Sequence, residues 1–143
     1  MNELDIYNEL IMEHAFSAKN KKELEHYDSC SLGHNPNCGD EIKIELKLSE
    51  DKNTIEDMSF TGHGCAISQA STSMMIDLLK GKSIDEAKKI IEVYLKMIRR
   101  EEITKEEERL LKDVVAFKNI SNMPARVKCA LLAWHTLDDM LNK

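Results

Sequence analysis

Three cysteines and one aspartate are the side chains in this sequence best suited to bind a metal ion together. Cys38 and Asp40 lie two residues apart in GHNPNCGDEI, Cys65 ends the segment GHGC, and Cys129 lies in PARVKCALL. Three thiolates and a carboxylate would complete a tetrahedral site for Zn²⁺, which accepts both sulfur and oxygen ligands. Because residues two apart in an extended strand point to the same side, Cys38 and Asp40 could both reach one ion.

The spacing of these residues does not by itself decide between a shared metal site and scattered buried thiols. The chain has no C-x-x-C motif, and long segments separate Asp40 from Cys65 and Cys65 from Cys129. Cysteine is also commonly buried as a small apolar residue. From the residues alone, both interpretations stay open.

Each of the three cysteines lies where a predicted element begins. Cys38 precedes a strand, Cys65 opens a helix, and Cys129 falls in the first turns of the last helix. The partial positive charge at a helix N-terminus favours thiolate over thiol, and therefore favours metal binding. Gly62 and Gly64 allow the backbone to approach whatever Cys65 contacts.

Three further residues near these segments are alternative ligands. His34 and His63 flank the cysteine loops, although a histidine in a loop is more often solvated. Cys30 could replace Asp40 to make a four-cysteine site, but its place in an irregular connection favours an uninvolved thiol.

Composition indicates a soluble globular domain spanning residues 1–143. The net charge is −6, from 20 basic and 26 acidic residues, which disfavours binding to nucleic acid. The N-terminal segment lacks the basic and apolar regions of a signal peptide, and no apolar run is long enough to span a membrane. We therefore expect a cytoplasmic protein with reduced cysteines and no membrane partner.

The pattern of apolar residues predicts an α+β fold, in which a small antiparallel sheet packs against several α-helices. A helix is expected from Asn2 to about Ala18, followed by a polar connection with room for a short strand. The segment EIKIELKL alternates apolar and charged residues, which predicts a strand with its charges facing solvent. It should pair with TIEDMSFTG as an antiparallel hairpin.

The remainder of the chain predicts four helices. The first ends at Gly81, and capping-box patterns at Ser83–Glu86 and Thr104–Glu107 open the next two. The inward face of the third helix is predicted to carry Leu110, Leu111, Val114 and Phe117. The last helix begins near Pro124.

Four segments occur in the order in which a known family has them: NPNCGDEI, GHGCAISQASTSMM, LLKGKS and PARVKCALLAW. From about Asn35 onward the chain resembles the SufU branch of the IscU/NifU-like iron–sulfur cluster assembly proteins. The resemblance implies the SufE/IscU-like fold. It also implies that the metal ligands are Cys38, Asp40, Cys65 and Cys129.

Two traits favour the SufU branch, whose members bind zinc and accept sulfur from a cysteine desulfurase. Lys128 stands where scaffold members of the family have histidine, and a helical insertion covers roughly residues 99–121. The alternative is a scaffold that assembles a [2Fe–2S] cluster on the same four ligands. A third class, a structural zinc domain, would have a closed metal site and would unfold without its metal.

The resemblance also implies a sulfur-transfer mechanism, in which the partners are a SufS-like cysteine desulfurase and downstream iron–sulfur assembly proteins. Cys38 leaves the metal, a partner side chain takes its place, and Cys38 accepts the persulfide sulfur. Three thiolates and a carboxylate around Zn²⁺ carry a net charge of −2, so Arg126, three residues before Cys129, is the predicted compensating cation. The chain departs from the family in HAFSAKNKKELE, where members usually have a Pro-Arg-Asn-type segment.

Overall fold

The structure is a computed structural model that describes residues 3–36 and 39–142. The helices are α1 (Glu3–Phe16), α2 (Ala66–Leu79), α3 (Ile84–Ile98), α4 (Lys105–Leu111) and α5 (Pro124–Leu141), and a 3-10 helix (Lys112–Asn122) joins α4 to α5. The strands are β1 (Ser29–Asn35), β2 (Asp40–Leu48) and β3 (Ile55–His63). Within the described ranges, no helix has both the length and the apolar character needed to cross a membrane.

The three strands form an antiparallel sheet with β2 in the centre. The predicted hairpin is β2–β3, and the apolar face of β2 is buried, with Ile42 and Ile44 completely inaccessible. The polar connection before β2 contributes the full strand β1, whose last residue, Asn35, pairs with Asp40. The predicted α+β fold is confirmed, with a third strand that places new residues beside Asp40.

The opposite face of β2 is less exposed than its charges predicted. Glu45 is 3% exposed because the chain before β1 folds over it, and its carboxylate accepts a hydrogen bond of 2.7 Å from the Leu24 N–H. Lys43 lies 3.6 Å from the same carboxylate and forms an ion pair with it. Alternation of apolar and charged residues predicted that Glu45 faces solvent, and this was wrong because Glu45 is covered by the preceding chain and paired with Lys43.

A buried polar network ties α2, α3 and α5 together. The Ser71 hydroxyl donates to the Ala130 carbonyl at 2.8 Å and accepts from the Trp134 indole N–H at 3.0 Å. Tyr94 donates to the same carbonyl at 2.8 Å, and its ring stacks on Trp134 with centroids 3.8 Å apart. Because Ala130 follows Cys129 directly, this network sets the position of Cys129 relative to α2.

The predicted helix starts are largely confirmed. Thr104 and Glu107 form a complete capping box, with both hydrogen bonds at 3.0 Å. Ser83 accepts from the Glu86 N–H, but the Glu86 carboxylate bonds the Ser83 hydroxyl rather than its backbone, so this box is only half formed. Gly81 lies just past the end of α2 with a φ of +90°, as expected for a helix stop.

The helix predicted after Thr104 is shorter than expected. It ends at Leu111, because Lys112 adopts a φ of +48°, and the chain continues as a 3-10 helix. Leu110, which precedes this turn, is 39% exposed, whereas Val114 and Phe117, which follow it, are buried as predicted. The prediction for Leu110 was therefore wrong.

Candidate metal centre

The structure brings Asp40, Cys65 and Cys129 together from β2, the start of α2 and the first turns of α5. One ligand atom from each residue lies within 4.8 Å of the other two. Asp40 is completely buried, and Cys129 is 1% exposed. These residues are far apart in the sequence, so their convergence favours a shared site over scattered buried thiols.

Cys65 is the N-cap residue of α2. Its backbone is extended, and its Sγ accepts a hydrogen bond of 3.4 Å from the Ser68 N–H. The Cys65 N–H donates at 2.9 Å to Oδ1 of Asp40, so the same residue contacts the carboxylate through its backbone. The Cys65 side chain and backbone are therefore both fixed at the start of α2, with the sulfur beside the Asp40 carboxylate.

Gly64 provides the space in which the Asp40 carboxylate lies. A Cβ at this position would lie 2.7 Å from Asp40 Oδ1 and 3.3 Å from the Cβ of Ser68. Gly62 has a φ of +120°, and a Cβ there would meet the Glu41 carbonyl oxygen. The prediction is confirmed for Gly64, where the approaching group is the Asp40 carboxylate that the Cys65 N–H contacts. At Gly62 the close approach is instead to the backbone of β2.

Cys38, the fourth predicted ligand, lies outside the described residues, as does Asn37. The described chain on either side of it is the end of β1 and the start of β2. In the sequence, Gly39 alone separates Cys38 from Asp40. Its role as ligand and sulfur acceptor stays a prediction.

Three buried polar atoms around the cluster have no hydrogen-bond partner among the described residues. They are Oδ2 of Asp40, Nδ2 of Asn35 and Oγ of Ser68, and the fourth such atom, Oγ of Ser59, lies elsewhere on β3. An unpartnered buried polar group costs about 1–3 kcal/mol. Because this cost is concentrated at one place, the site is suited to a bound species that satisfies these atoms.

The alternative ligands are not part of the described cluster. Cys30 is an exposed free thiol on β1, and His34 is exposed on the same strand. His63 is also exposed, and its Nε2 lies 3.3 Å from a Glu41 carboxylate oxygen. Arg126 is exposed in the first turn of α5, and its role as the compensating cation stays a prediction.

The residues present fit zinc. Two donors that each lie about 2.3 Å from a tetrahedral zinc ion are about 3.8 Å apart, which is within the spacing of the described cluster. Asp40 has one oxygen held by the Cys65 N–H and the other open, so it can bind an ion with its orientation already set. Two sulfurs and a carboxylate oxygen leave one position for a further ligand.

Sequence inspection missed Asn35, Ser68 and the contact between Gly64 and Asp40. A signal for Asn35 was present, because it lies three residues before Cys38 in the sequence. Its pairing with Asp40 depended on β1, which the polar composition concealed. Ser68 gave no signal of its own in the sequence.

The model of the family described as NifU-like N terminal domain matches residues 6–138. The iron-sulfur cluster assembly scaffold protein IscU of Thermotoga maritima is 40% identical over 138 residues, covering 96% of this chain and 94% of the relative. The zinc-dependent sulfurtransferase SufU of Bacillus subtilis is 38% identical over 134 residues, covering 93% and 87%.

Solved structures of related proteins have the same fold as this chain. FiSufU from Fervidobacterium islandicum AW-1 superposes with a TM-score of 0.88 at 36% identity and covers 98% of this chain and 99% of its own. A NifU-like N-terminal protein from Brucella abortus, at 24% identity, has a TM-score of 0.81 over 96% of this chain and 93% of its own, and it shows the same fold. The chain belongs to the NifU-like N-terminal domain family, which includes the IscU and SufU proteins.

Proposed function

We propose that this protein accepts sulfur from a cysteine desulfurase for iron–sulfur cluster assembly, and that Cys38, Asp40, Cys65 and Cys129 hold a zinc ion. The convergence of Asp40, Cys65 and Cys129, with one carboxylate oxygen open, is the observation that carries the proposal. The 38% identity to a zinc-dependent sulfurtransferase supports it.

The chemical step assigned to Cys38 is a thiol–persulfide exchange. Its thiolate attacks the outer sulfur of the desulfurase persulfide, a new S–S bond forms on Cys38, and the S–S bond of the donor breaks. The donor cysteine leaves as a thiolate, so the outer sulfur moves with no net oxidation or reduction. Zinc bound at the site supplies a positive charge that keeps the ligand thiols deprotonated at neutral pH.

The other ligands have fixed positions that suit them to remain in place during this exchange. Cys65 is held at the start of α2 by the Ser68 N–H, and Cys129 is held within α5 beside the network at Ala130. Cys38 lies in the sequence between the end of β1 and the start of β2. We assign the reactive role to Cys38 because the resemblance to the SufU proteins implies it.

A surface groove supports access to the site by a partner in the cytoplasm. The groove has a volume of about 430 Å³, lies between β1 and α5, and reaches both Asn35 and Lys128. Asn35 pairs with Asp40, and Lys128 precedes Cys129, so the groove meets the edge of the cluster. A cysteine desulfurase is the partner that the proposed chemistry requires.

The alternative function is assembly of a [2Fe–2S] cluster on the same four residues. It is favoured by the 40% identity to a protein named as a cluster assembly scaffold. Thiolates bind both zinc and iron, so the same residues would serve as ligands in this function.

The test measures cysteine turnover by the desulfurase of the same cell, with this protein zinc-loaded, zinc-stripped and as Cys38→Ala. We expect only the zinc-loaded parent to accelerate turnover and to gain 32 Da on Cys38, about the mass of one sulfur atom, by mass spectrometry. Cys30→Ser is the control, because it removes an exposed thiol outside the described cluster.

Two results would contradict the proposal. Persulfide on the Cys38→Ala variant would show that another residue accepts the sulfur. If zinc has no effect, or blocks activity while iron and sulfide give a coloured protein, the scaffold function would replace it.

A further inference from the structure

Asn35 and Asp40 are directly opposed residues that leave a donor and an acceptor unused. They form the last β1–β2 pair, so their side chains lie on the same face of the sheet. Both are buried, at 7% and 0% exposure. Nevertheless, Nδ2 of Asn35 and Oδ2 of Asp40 have no partner within the described chain, and they do not bond to each other.

A third group placed near these two atoms would satisfy them both. The Asp40 oxygen needs a cation or a proton donor, while the Asn35 amide needs a hydrogen-bond acceptor. A metal-bound thiolate has both features, because the metal takes the carboxylate oxygen and the sulfur accepts from the amide.

Ser68 presents a second unused donor on the other side of Asp40. Its backbone N–H already points at Cys65 Sγ, and its Cβ lies beside the space at Gly64 into which the carboxylate fits. The Ser68 side chain is completely buried, and its hydroxyl has no described partner. Both donors therefore border the same cluster.

We propose that Asn35 and Ser68 are positioning residues whose neutral amide and hydroxyl groups donate hydrogen bonds to the thiolate sulfurs of the metal centre. The inference rests on the proposed function, since it requires a centre of this composition. The hydroxyl of Ser68 serves the sulfur of Cys65, and the amide of Asn35 serves a sulfur on the Asp40 side of the centre.

The charge of the site explains why such donors are needed. Three thiolates and a carboxylate around a divalent zinc ion leave two negative charges in a buried position. Near the cluster, Arg126 and Lys128 are both exposed. Neutral donors can spread this negative charge onto the protein without burying a further ion, which would be costly.

The experiment compares Asn35→Ala and Ser68→Ala with the parent, and Ser59→Ala is the matched control. Ser59 also has a buried, unpartnered hydroxyl, but it lies on β3 opposite Glu45, away from the cluster. Zinc affinity is measured by competition with a chromophoric chelator, and thermal unfolding is measured with and without zinc. The cobalt-substituted proteins are compared by absorption spectroscopy.

We expect each site variant to bind zinc about tenfold more weakly or worse, as is typical when a group supporting a metal ligand is removed. Ser68→Ala should also raise the melting temperature of the zinc-free protein, because it removes an unsatisfied buried hydroxyl. The sulfur-to-cobalt absorption band should move to longer wavelength, since a sulfur without its hydrogen bond gives up electrons more easily. Ser59→Ala should stabilise both forms and leave zinc affinity and the cobalt spectrum unchanged.

The inference is overturned if the parent binds zinc and both site variants bind it equally well with unchanged cobalt spectra. It is also overturned if Ser59→Ala weakens zinc binding as much as Ser68→Ala. A parent that binds no zinc would overturn the proposed function together with this inference. Because two positions are tested, misfolding of one variant still leaves a decisive result from the other.

Discussion

Replacement of Gly64 by alanine tests whether the space next to Asp40 sets the metal centre. The added Cβ would lie 2.7 Å from Asp40 Oδ1, whereas ordinary contact begins at 3.4 Å, so the carboxylate must move by about 0.7 Å. A movement of this size along the 2.9 Å hydrogen bond from the Cys65 N–H would lengthen it to about 3.6 Å, which is too long for a hydrogen bond.

Two costs follow from that movement. Overpacking of a buried site costs about 1–3 kcal/mol, and a buried N–H without its acceptor costs a similar amount. At about 2–4 °C for each kcal/mol, the melting temperature of the zinc-free protein should fall by about 2–12 °C if half of the combined cost of about 2–6 kcal/mol is felt. Zinc affinity should fall about 10- to 100-fold, because the displaced carboxylate no longer meets the ion with its set orientation.

The assay combines chelator competition with thermal unfolding, and Gly81→Ala is the control. Gly81 has a φ of +90° with open space around it, so alanine there adds backbone strain of about 1–2 kcal/mol without touching the site. The control should therefore lose stability but keep its zinc affinity. Parent-like zinc affinity in Gly64→Ala would refute the reasoning, because it would mean that the position of the Asp40 carboxylate does not determine metal binding.

Four further outcomes are expected. Thr104→Ala should lower the free energy of unfolding by about 1 kcal/mol, because it removes the α4 cap. The Thr104 N–H lowers the pKa of Glu107 below 4.5, so the charge of Glu107 stabilises the fold above about pH 4.5, and this contribution is lost as the pH falls through the folded pKa. In urea unfolding, the stability of Glu107→Gln should therefore differ from that of the parent at about pH 7 and converge with it at about pH 3. Equal differences in stability at both pH values would exclude the effect. Ser71→Ala should cost about 1–3 kcal/mol in chemical denaturation because the buried Trp134 N–H loses its acceptor, and a loss below about 0.5 kcal/mol would argue against the network. Cys30→Ser should bind zinc like the parent in chelator competition, and any tenfold loss would place this exposed thiol in the site.

Local pattern was sufficient for most of the secondary structure. Alternation in EIKIELKL predicted β2, and the capping residue Thr104 predicted the start of α4, because both signals act within a few residues. The extent of β1 and the end of α4 at Leu111 were not predictable in this way. A polar strand gains its stability from pairing with β2, and the unusual backbone of Lys112 depends on the packing around it.

The ligand types were predictable from the sequence, because only a few residues carry the sulfur and oxygen donors that zinc accepts. Cys65 at a helix start and the resemblance of four ordered segments also pointed to this centre and to its family. The burial of Glu45 and the unpartnered groups of Asn35 and Ser68 were not predictable, since they depend on residues distant in the chain.

The sequence by itself determined which side chains could bind a metal, which helices and strands carry them, and the order of the family's segments. Only the tertiary structure decided that Asp40, Cys65 and Cys129 meet, that Gly64 makes room for the carboxylate, and that two neutral donors border the cluster. The physical reason is that helix and strand formation is governed by neighbours within a few residues. Contact between β2, α2 and α5 is instead set by burial of a shared core and by the polar network at Ser71.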